Sequence, residues 1–329
     1  MPHTFDLLVI GDANPDIVLG PLDAPLAFGQ REQLVDTGLL TLGGSAAIMA
    51  CGAARLGLKV AFAGRVGDDD AGRFVRTALT ARGVNTDALR VDPALPTPLT
   101  VVVTRGDGDR TILTSPGTLA ATGPDDVPEA LLTSSRHVHA ASYFLLPKLA
   151  DALPELLAMA RAHGATTSLD TNDDPSGEWA PGRIDATLAV TGFLLPNAQE
   201  ALALASAAAS PEAAGSSAAT GSLEAAAGAL AALGPQVVVK NGADGALVHD
   251  GRTLLRAPSI PARPRDTVGA GDSFDAGFIA AFLRGLSTAE ALAFAAACGA
   301  LSTRAHGGTA AQPTWDEART ALARNGKNL

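Results

Sequence analysis

Short apolar runs that end in small or acidic residues alternate along this chain with longer, alanine-rich segments of helical period. Phe5-Asp6-Leu7-Leu8-Val9-Ile10 runs into Gly11-Asp12 and reads as a buried strand closed by a turn. A helix is expected over Ala46–Leu56 with Gly57 as its stop, then a strand at Val60–Ala63 and a helix over Ala71–Arg82 ended by Gly83. The rhythm continues with a strand at His137–Ser142, a helix at Leu149–His163 and a strand at Thr166–Leu169. Strands at Phe193–Leu195 and Gln236–Lys240 flank a helix that starts at Ala198. Such alternation calls for βαβ units and a doubly wound, mostly parallel sheet flanked by helices. The chain of 329 residues is expected to form a single α/β domain over residues 1–329. Its residues are 47% hydrophobic but only 4% aromatic, which favours small-residue helices lying close on a sheet over a β-sandwich.

Two segments break the rhythm. Pro15 to Leu42 and Thr97 to Thr114 carry no good helix. The second alternates through Leu99-Thr100-Val101-Val102-Val103-Thr104, turns at Arg105-Gly106-Asp107-Gly108 and returns as Thr111-Ile112-Leu113, a hairpin pattern. Both are expected to be strands of a small β-sheet projecting from the core as a lid. Its unpaired edges favour self-association, so a homodimer through the lid is expected. Ser206 to Ser222, rich in Ala, Ser and Gly, reads as a loose loop between helices.

The formal net charge is −10, and no long Lys/Arg run offsets it, which excludes nucleic acid as a partner. A small anionic nucleotide stays compatible, because backbone N–H groups and one or two cations bind it locally. The two cysteines, Cys51 and Cys298, lie in alanine-rich helical stretches and read as reduced core thiols. The N-terminus has no basic leader, and no stretch reaches the ~18 apolar residues of a spanning helix, so no membrane role and a cytoplasmic location are expected.

The segment richest in chemistry is Asp266-Thr267-Val268-Gly269-Ala270-Gly271-Asp272-Ser273-Phe274. Phe274, Phe278 and Phe282 recur every fourth residue and Ile279 joins them, giving the buried stripe of an amphipathic helix. Gly269, Ala270 and Gly271 therefore sit at its N-terminus, where unpaired N–H groups and the dipole attract anions. Asp272 is unexpected beside such a cradle, since a carboxylate repels a bound phosphate. It makes sense if an alcohol lies between the two, giving its proton to Asp272 while the N–H groups hold the phosphoryl oxygens. A plain helix cap accounts for the same residues equally well.

Asp266 to Phe274 resembles the second signature of the ribokinase-like (PfkB) carbohydrate kinases, Asp-Thr-x-Gly-Ala-Gly-Asp-x-Phe, and the element order resembles that family along the whole chain. The resemblance implies an ATP- and Mg²⁺-dependent kinase acting on a hydroxyl of a small sugar or sugar-like substrate. It implies Asp272 as catalytic base and Gly269, Ala270 and Gly271 as the anion hole. Asn14 and Asp16, in Gly11-Asp12-Ala13-Asn14-Pro15-Asp16, offer donors and acceptors suited to vicinal hydroxyls, or else an Asx turn before Pro15; the resemblance places Asp16 on the sugar. Leu42-Gly43-Gly44-Ser45-Ala46-Ala47 resembles the first signature, with Gly43 and Gly44 beside the substrate. Ile48 stands where the family usually has a substrate-touching Asn, so an apolar wall is expected there.

Asn197-Ala198-Gln199-Glu200 resembles the family's Asn-x-x-Glu, implying that Asn197 and Glu200 organise Mg²⁺ and phosphates through water; a capped helix start is the other reading. Lys240, Gly242 and Gly245 fall in a segment that lines nucleotide phosphates in the family, with Lys240 as a point charge, or form a simple hairpin turn. Asp170 and Asn172 are candidates for structural or phosphate-side roles. Asp266 and Val268, with Ser302 to Gly307, resemble the loop pair that holds a monovalent cation, K⁺, in many relatives.

The first strand is not followed by Gly-x-Gly-x-x-Gly, and no Gly-x-x-x-x-Gly-Lys-Ser/Thr is present, which sets aside a dinucleotide oxidoreductase and a Walker-type NTPase. A nucleoside kinase on the same scaffold and a non-catalytic sugar-binding or regulatory protein remain as alternatives.

Overall fold

The computed structural model describes residues 3–107, 109–179, 184–208 and 221–326. The chain opens with β1 (Phe5–Ile10), crosses into β2 (Asn14–Gly20) and β3 (Thr37–Gly43), and returns through α1 (Ser45–Arg55) and β4 (Val60–Gly67). Next come α2 (Asp70–Ala81), β5 (Asn85–Asp92), β6 (Leu99–Thr104), β7 (Arg110–Ser115), α3 (Glu129–Ser134) and β8 (Ser135–Ala141). They are followed by α4 (Pro147–Ala162), β9 (Thr166–Asp170), α5 (Ile184–Ala189), β10 (Phe193–Leu194), α6 (Ala198–Ala208) and α7 (Leu223–Ala231). The last elements are β11 (Gln236–Lys240), β12 (Ala246–His249), β13 (Leu254–Ala257), α8 (Ala270–Leu283), α9 (Thr288–Ser302) and α10 (Trp315–Arg324).

Among the described residues, nine strands form one sheet in the order β13-β12-β11-β10-β9-β8-β1-β4-β5. All pairings are parallel except those that β12 makes with β11 and β13. Both faces are covered, which is why Leu7, Leu8, Val9 and Ile10 are all fully buried. Leu7 and Val9 point into a core shared with α1, α8 and α9, whereas Leu8 and Ile10 point into a second core under α4, α6 and α7. Each buried leucine-sized side chain contributes about 1.5–3 kcal/mol to this layering. Small residues set the helix spacing: a Cβ on Gly277 of α8 would stand 2.9 Å from the Cys298 sulfur of α9.

The chain leaves β1 on one side for β4 and on the other for β8, so strand order reverses between β1 and β8. The crevice that such a reversal leaves at the carboxyl ends of the strands is where α/β proteins bind ligands. Gly11-Asp12, Ser142, Asp170 and Lys240 all lie at that end.

The expected lid is present as a second sheet in the order β3-β2-β6-β7, with β2 antiparallel to β3 and β6 antiparallel to β7. The tip residue Gly108 lies outside the described residues. The loop expected from Ser206 begins later, since α6 runs to Ala208; residues 209–220 lie outside the described residues, and Ser222 caps α7 by accepting from the Ala225 N–H. No helix among the described residues is long and apolar enough to cross a membrane.

Candidate active site

Asp272 stands in the first turn of α8 and is buried. Gly269 precedes the helix with φ 72°, and a Cβ there would lie 2.6 Å from the Gly308 Cα. Glycine is thus required by backbone conformation and by close packing on the 307–308 loop, rather than by phosphate approach. Because α8 begins at Ala270, the N–H groups of Gly271 and Asp272 have no acceptor within the helix. The Ala270 N–H, expected as part of the anion hole, is already given to the Thr267 carbonyl at 3.2 Å. At Gly271 a Cβ would meet nothing nearer than the Lys240 side chain, 3.5 Å away.

The Asp272 carboxylate accepts a hydrogen bond of 2.5 Å from the Ser45 hydroxyl, which itself accepts from Asn172 Nδ2 at 3.0 Å. Asn172 has φ 55°, and its Oδ1 accepts from the Ser142 N–H. Ser45 opens α1, whose N-terminus is held by Asp12: its carboxylate accepts from the Ser45 and Ala46 N–H groups at 3.2 and 3.1 Å. Burial pushes the Asp272 carboxyl up to about 7; Ser45 and Lys240 oppose the rise, and Asp170 and Asp12 add to it. Neither Ser45 nor Asp12 was singled out in the sequence, although both lie inside segments that were.

Lys240 does not offer a free charge to a phosphate, as expected from sequence. Its ammonium is clamped between Asp170 at 2.6 Å and Asp275 at 3.1 Å. Burial alone would lower its pKa, but the two carboxylates with Glu200 raise it, so it stays charged. Asp275 is the residue sequence reading missed here; it lies three positions after Asp272, on the same helix face.

Gly242 and Gly245 form the turn of the β11–β12 hairpin. A Cβ on Gly242 would meet nothing within 4 Å, while one on Gly245 (φ 92°) would overlap the Ala257 carbonyl. Gly245 is therefore a packing glycine of the sheet edge. Asn197 and Glu200 hold one another: Asn197 N–H and Nδ2 donate to the Glu200 carboxylate at 2.7 and 2.6 Å, and the Glu200 N–H donates back to Asn197 Oδ1 at 2.9 Å. This is the helix-capping alternative, realised at the start of α6. Burial pushes Glu200 up to about 7, with Asp170 adding to the shift and Lys240 opposing it.

The lid contributes Asn14 and Asp16 at the start of β2. Asn14 Nδ2 donates to Asp16 Oδ1 at 2.8 Å and to Thr100 Oγ1 at 3.1 Å, so the pair is ordered by β2 and β6 rather than by an Asx turn. The Asp16 carboxylate rests against Gly43, where any Cβ would overlap it. Burial, with Asp12 beside it, pushes Asp16 up to about 7. Gly44 (φ 85°) lets the chain turn from β3 into α1 against the Asp12–Ala13 backbone. Ile48 packs beneath the start of α8. It is 3% exposed and packs against Gly308, where a Cβ would lie 2.6 Å from its Cδ1, and against Gly269. Ile48 thus props the loop beneath the start of α8.

Asp266 ties the expected cation loops together: its carboxylate accepts from the Val268 and Gly307 N–H groups at 2.9 and 2.8 Å, and its own N–H donates to the Thr303 carbonyl. From the lid, Arg110 of β7 reaches across to the Thr267 hydroxyl at 3.0 Å, a contact no local sequence pattern announced.

A doubly wound sheet with a lid, and a carboxylate at a helix N-terminus in the cleft between them, define a kinase of the ribokinase fold. Residues 4–315 match the pfkB family carbohydrate kinase model, and the chain belongs to that family of carbohydrate kinases. A curated relative, the ATP-dependent ribose-1-phosphate kinase of Halopiger xanaduensis, is 31% identical over 315 residues, covering 94% of this chain and 95% of that protein. The Arabidopsis thaliana ribokinase structure, complexed with ribose and ATP, superposes with a TM-score of 0.79 at 26% identity, covering 98% of this chain and 99% of that one. A putative ribokinase II from E. coli, in complex with ATP and Mg²⁺, gives 0.81 at 25% identity, covering 97% and 99%.

Proposed function

We propose that this enzyme transfers the terminal phosphoryl group of ATP to a hydroxyl of a small sugar or sugar-like molecule by direct in-line displacement. One observation carries the reading: a buried carboxylate, Asp272, beside helix N–H groups that have no acceptor in the helix. The substrate oxygen attacks phosphorus as the bond to the ADP oxygen breaks, the ADP oxygen keeps that electron pair, and the hydroxyl proton passes to Asp272. The N–H groups of Gly271 and Asp272, free of an acceptor within the helix, and the dipole of α8 face the phosphoryl oxygens. Asn14 and Asp16 hold the sugar's other hydroxyls next to the Gly43–Gly44 turn, and Arg110 adds positive charge from the lid.

The donor set suits Mg²⁺, a hard cation that keeps most of its waters: Glu200 offers carboxylate oxygens whose protonation is favoured by burial and then by the like charge of Asp170, a cost that a cation relieves. When bound, Mg²⁺ neutralises phosphate oxygens of the nucleotide. The carbonyls of the tied 266–268 and 303–307 loops form the site for K⁺. A second copy of the chain covers the lid. Strand register places Ile17, Leu40, Val101 and Leu113 in one row on the face away from Asp16, with Leu40 56% and Leu113 53% exposed.

The test is a panel of ribose, ribose 1-phosphate, fructose, 2-keto-3-deoxygluconate, adenosine and inosine with ATP, read by coupled ADP release in sodium, potassium and tetramethylammonium salts. A sugar or sugar phosphate is expected to turn over fastest, faster in potassium, and Asp272→Asn is expected to lower kcat by about a hundred- to ten-thousand-fold. Preference for a nucleoside would favour the alternative kinase. Tight sugar binding without turnover would favour a binding protein, and equal rates in the three salts would remove K⁺.

A further inference from the structure

Four buried charged side chains crowd the floor of the cleft: Asp170 at the end of β9, Lys240 at the end of β11, and Asp272 and Asp275 on α8. One oxygen from each of the three carboxylates lies within 4.8 Å of the others, and the cation among them is the Lys240 ammonium. The side chains of Asp170 and Asp275 are 1% exposed. Three ionised carboxylates against one ammonium would leave uncompensated negative charge in surroundings largely shielded from water, and buried groups relieve this by taking up a proton.

Hydrogen bonding decides which group holds it. Asp170 accepts from Lys240 and from the Asn172 N–H at 3.1 Å. Asp272 accepts from Ser45. Asp275 accepts from Lys240 through Oδ2 alone, and its Oδ1 is buried without a partner. An anion there is the least supported of the three.

We infer that Asp275 is a neutral acid that gives its O–H to Asp170, and that this single proton leaves the Lys240 charge available to keep Asp272 ionisable. Asp275 is in this sense a positioning residue for the base, an inference that rests on the role proposed for Asp272. The titration tendencies agree. Burial drives Asp275 well above the ordinary carboxylate range despite Lys240, while at Asp170 burial is outweighed by Lys240 and by the hydrogen bond from Asp275. Other groups facing the cluster are Glu200 from α6, Asp12 from the β1–β2 turn and His139 from β8, the last kept neutral by burial, which pushes it down to about 4.

Infrared difference spectra of the full chain at about pH 9, above the value of about 7 for Asp16, Glu200 and Asp272, test the proton directly. A protonated-carboxyl stretch is expected that Asp275→Asn lacks; identical spectra would overturn the inference. In kinetics, Asp275→Asn replaces a neutral acid by a neutral amide, so the acid limb of kcat/KM should move by no more than about 0.3 pH units. Loss of an ionised neighbour would instead lower that limb by about one unit or more, which would also overturn it. Lys240→Met should raise the limb by about one to three units, and an unmoved limb would count against the lysine's part. If Asp272→Asn keeps turnover while the infrared band depends on Asp275, the base assignment fails and the proton assignment stands.

Discussion

To act as the proposed base, Asp272 must be an anion, yet it stands where burial disfavours one. Its carboxyl is pushed up to about 7, chiefly by burial, so it is protonated and idle at lower pH. We therefore expect kcat/KM to rise with pH through about 7 and level off above it. Ser45→Ala removes a hydrogen bond that favours the charged form. It should move that limb upward by about 0.5–1 unit and lower the rate most at acid pH, with little loss where Asp272 is ionised in both proteins; a parallel loss at every pH would contradict this role. Asp272 was legible in sequence because its whole environment, glycines and helix start included, is contiguous. Ser45 and Arg110 were not, because their partners lie 227 and 157 residues away and only the tertiary fold brings them together. Lys240 was read as a lone cation for the same reason, its two carboxylates being 70 and 35 residues distant.

At the level of elements, apolar runs such as Leu7–Ile10 and Val237–Val239 announce themselves because both faces of a parallel strand are buried. The strand β5, Asn-Thr-Asp-Ala-Leu-Arg-Val-Asp, does not: it closes one edge of the sheet, its side chains are largely half-buried or exposed, and its polar residues mask the pattern. The lid hairpin was legible from its period of two and its Gly-Asp-Gly turn, whereas the pairing of β2 with β6 is a long-range register that no local period encodes. The start of α8 is where an element's geometry governs chemistry. Gly269→Ala forces a side chain into left-handed φ and against Gly308 2.6 Å away, at a cost of about 1–3 kcal/mol or more. A lower melting temperature together with at least a tenfold loss of kcat is expected, since α8 carries both the N–H groups and the base (about 1.4 kcal/mol per factor of ten). Normal turnover in a folded Gly269→Ala chain would show that the helix start does not hold the phosphoryl group.

Across the whole molecule, the lid presents an apolar row to the outside and a carboxylate to the inside. Replacing Leu40 or Leu113 with Arg puts charge at an exposed end of that row and should convert the proposed dimer to monomer in sedimentation, while leaving the melting temperature of the large sheet nearly unchanged; a wild-type chain that sediments as a monomer would remove the dimer. The division of labour between the two sheets also has a consequence for idle chemistry. Asn14 and Asp16 ride on the small sheet, whereas Asp272 belongs to a helix of the large one. A guest with several oxygens can grip both parts at once; a lone water molecule has nothing with which to span them. On the proposed mechanism, such an architecture would guard its nucleotide against wasteful hydrolysis by making the sugar itself the bridge that completes the machine.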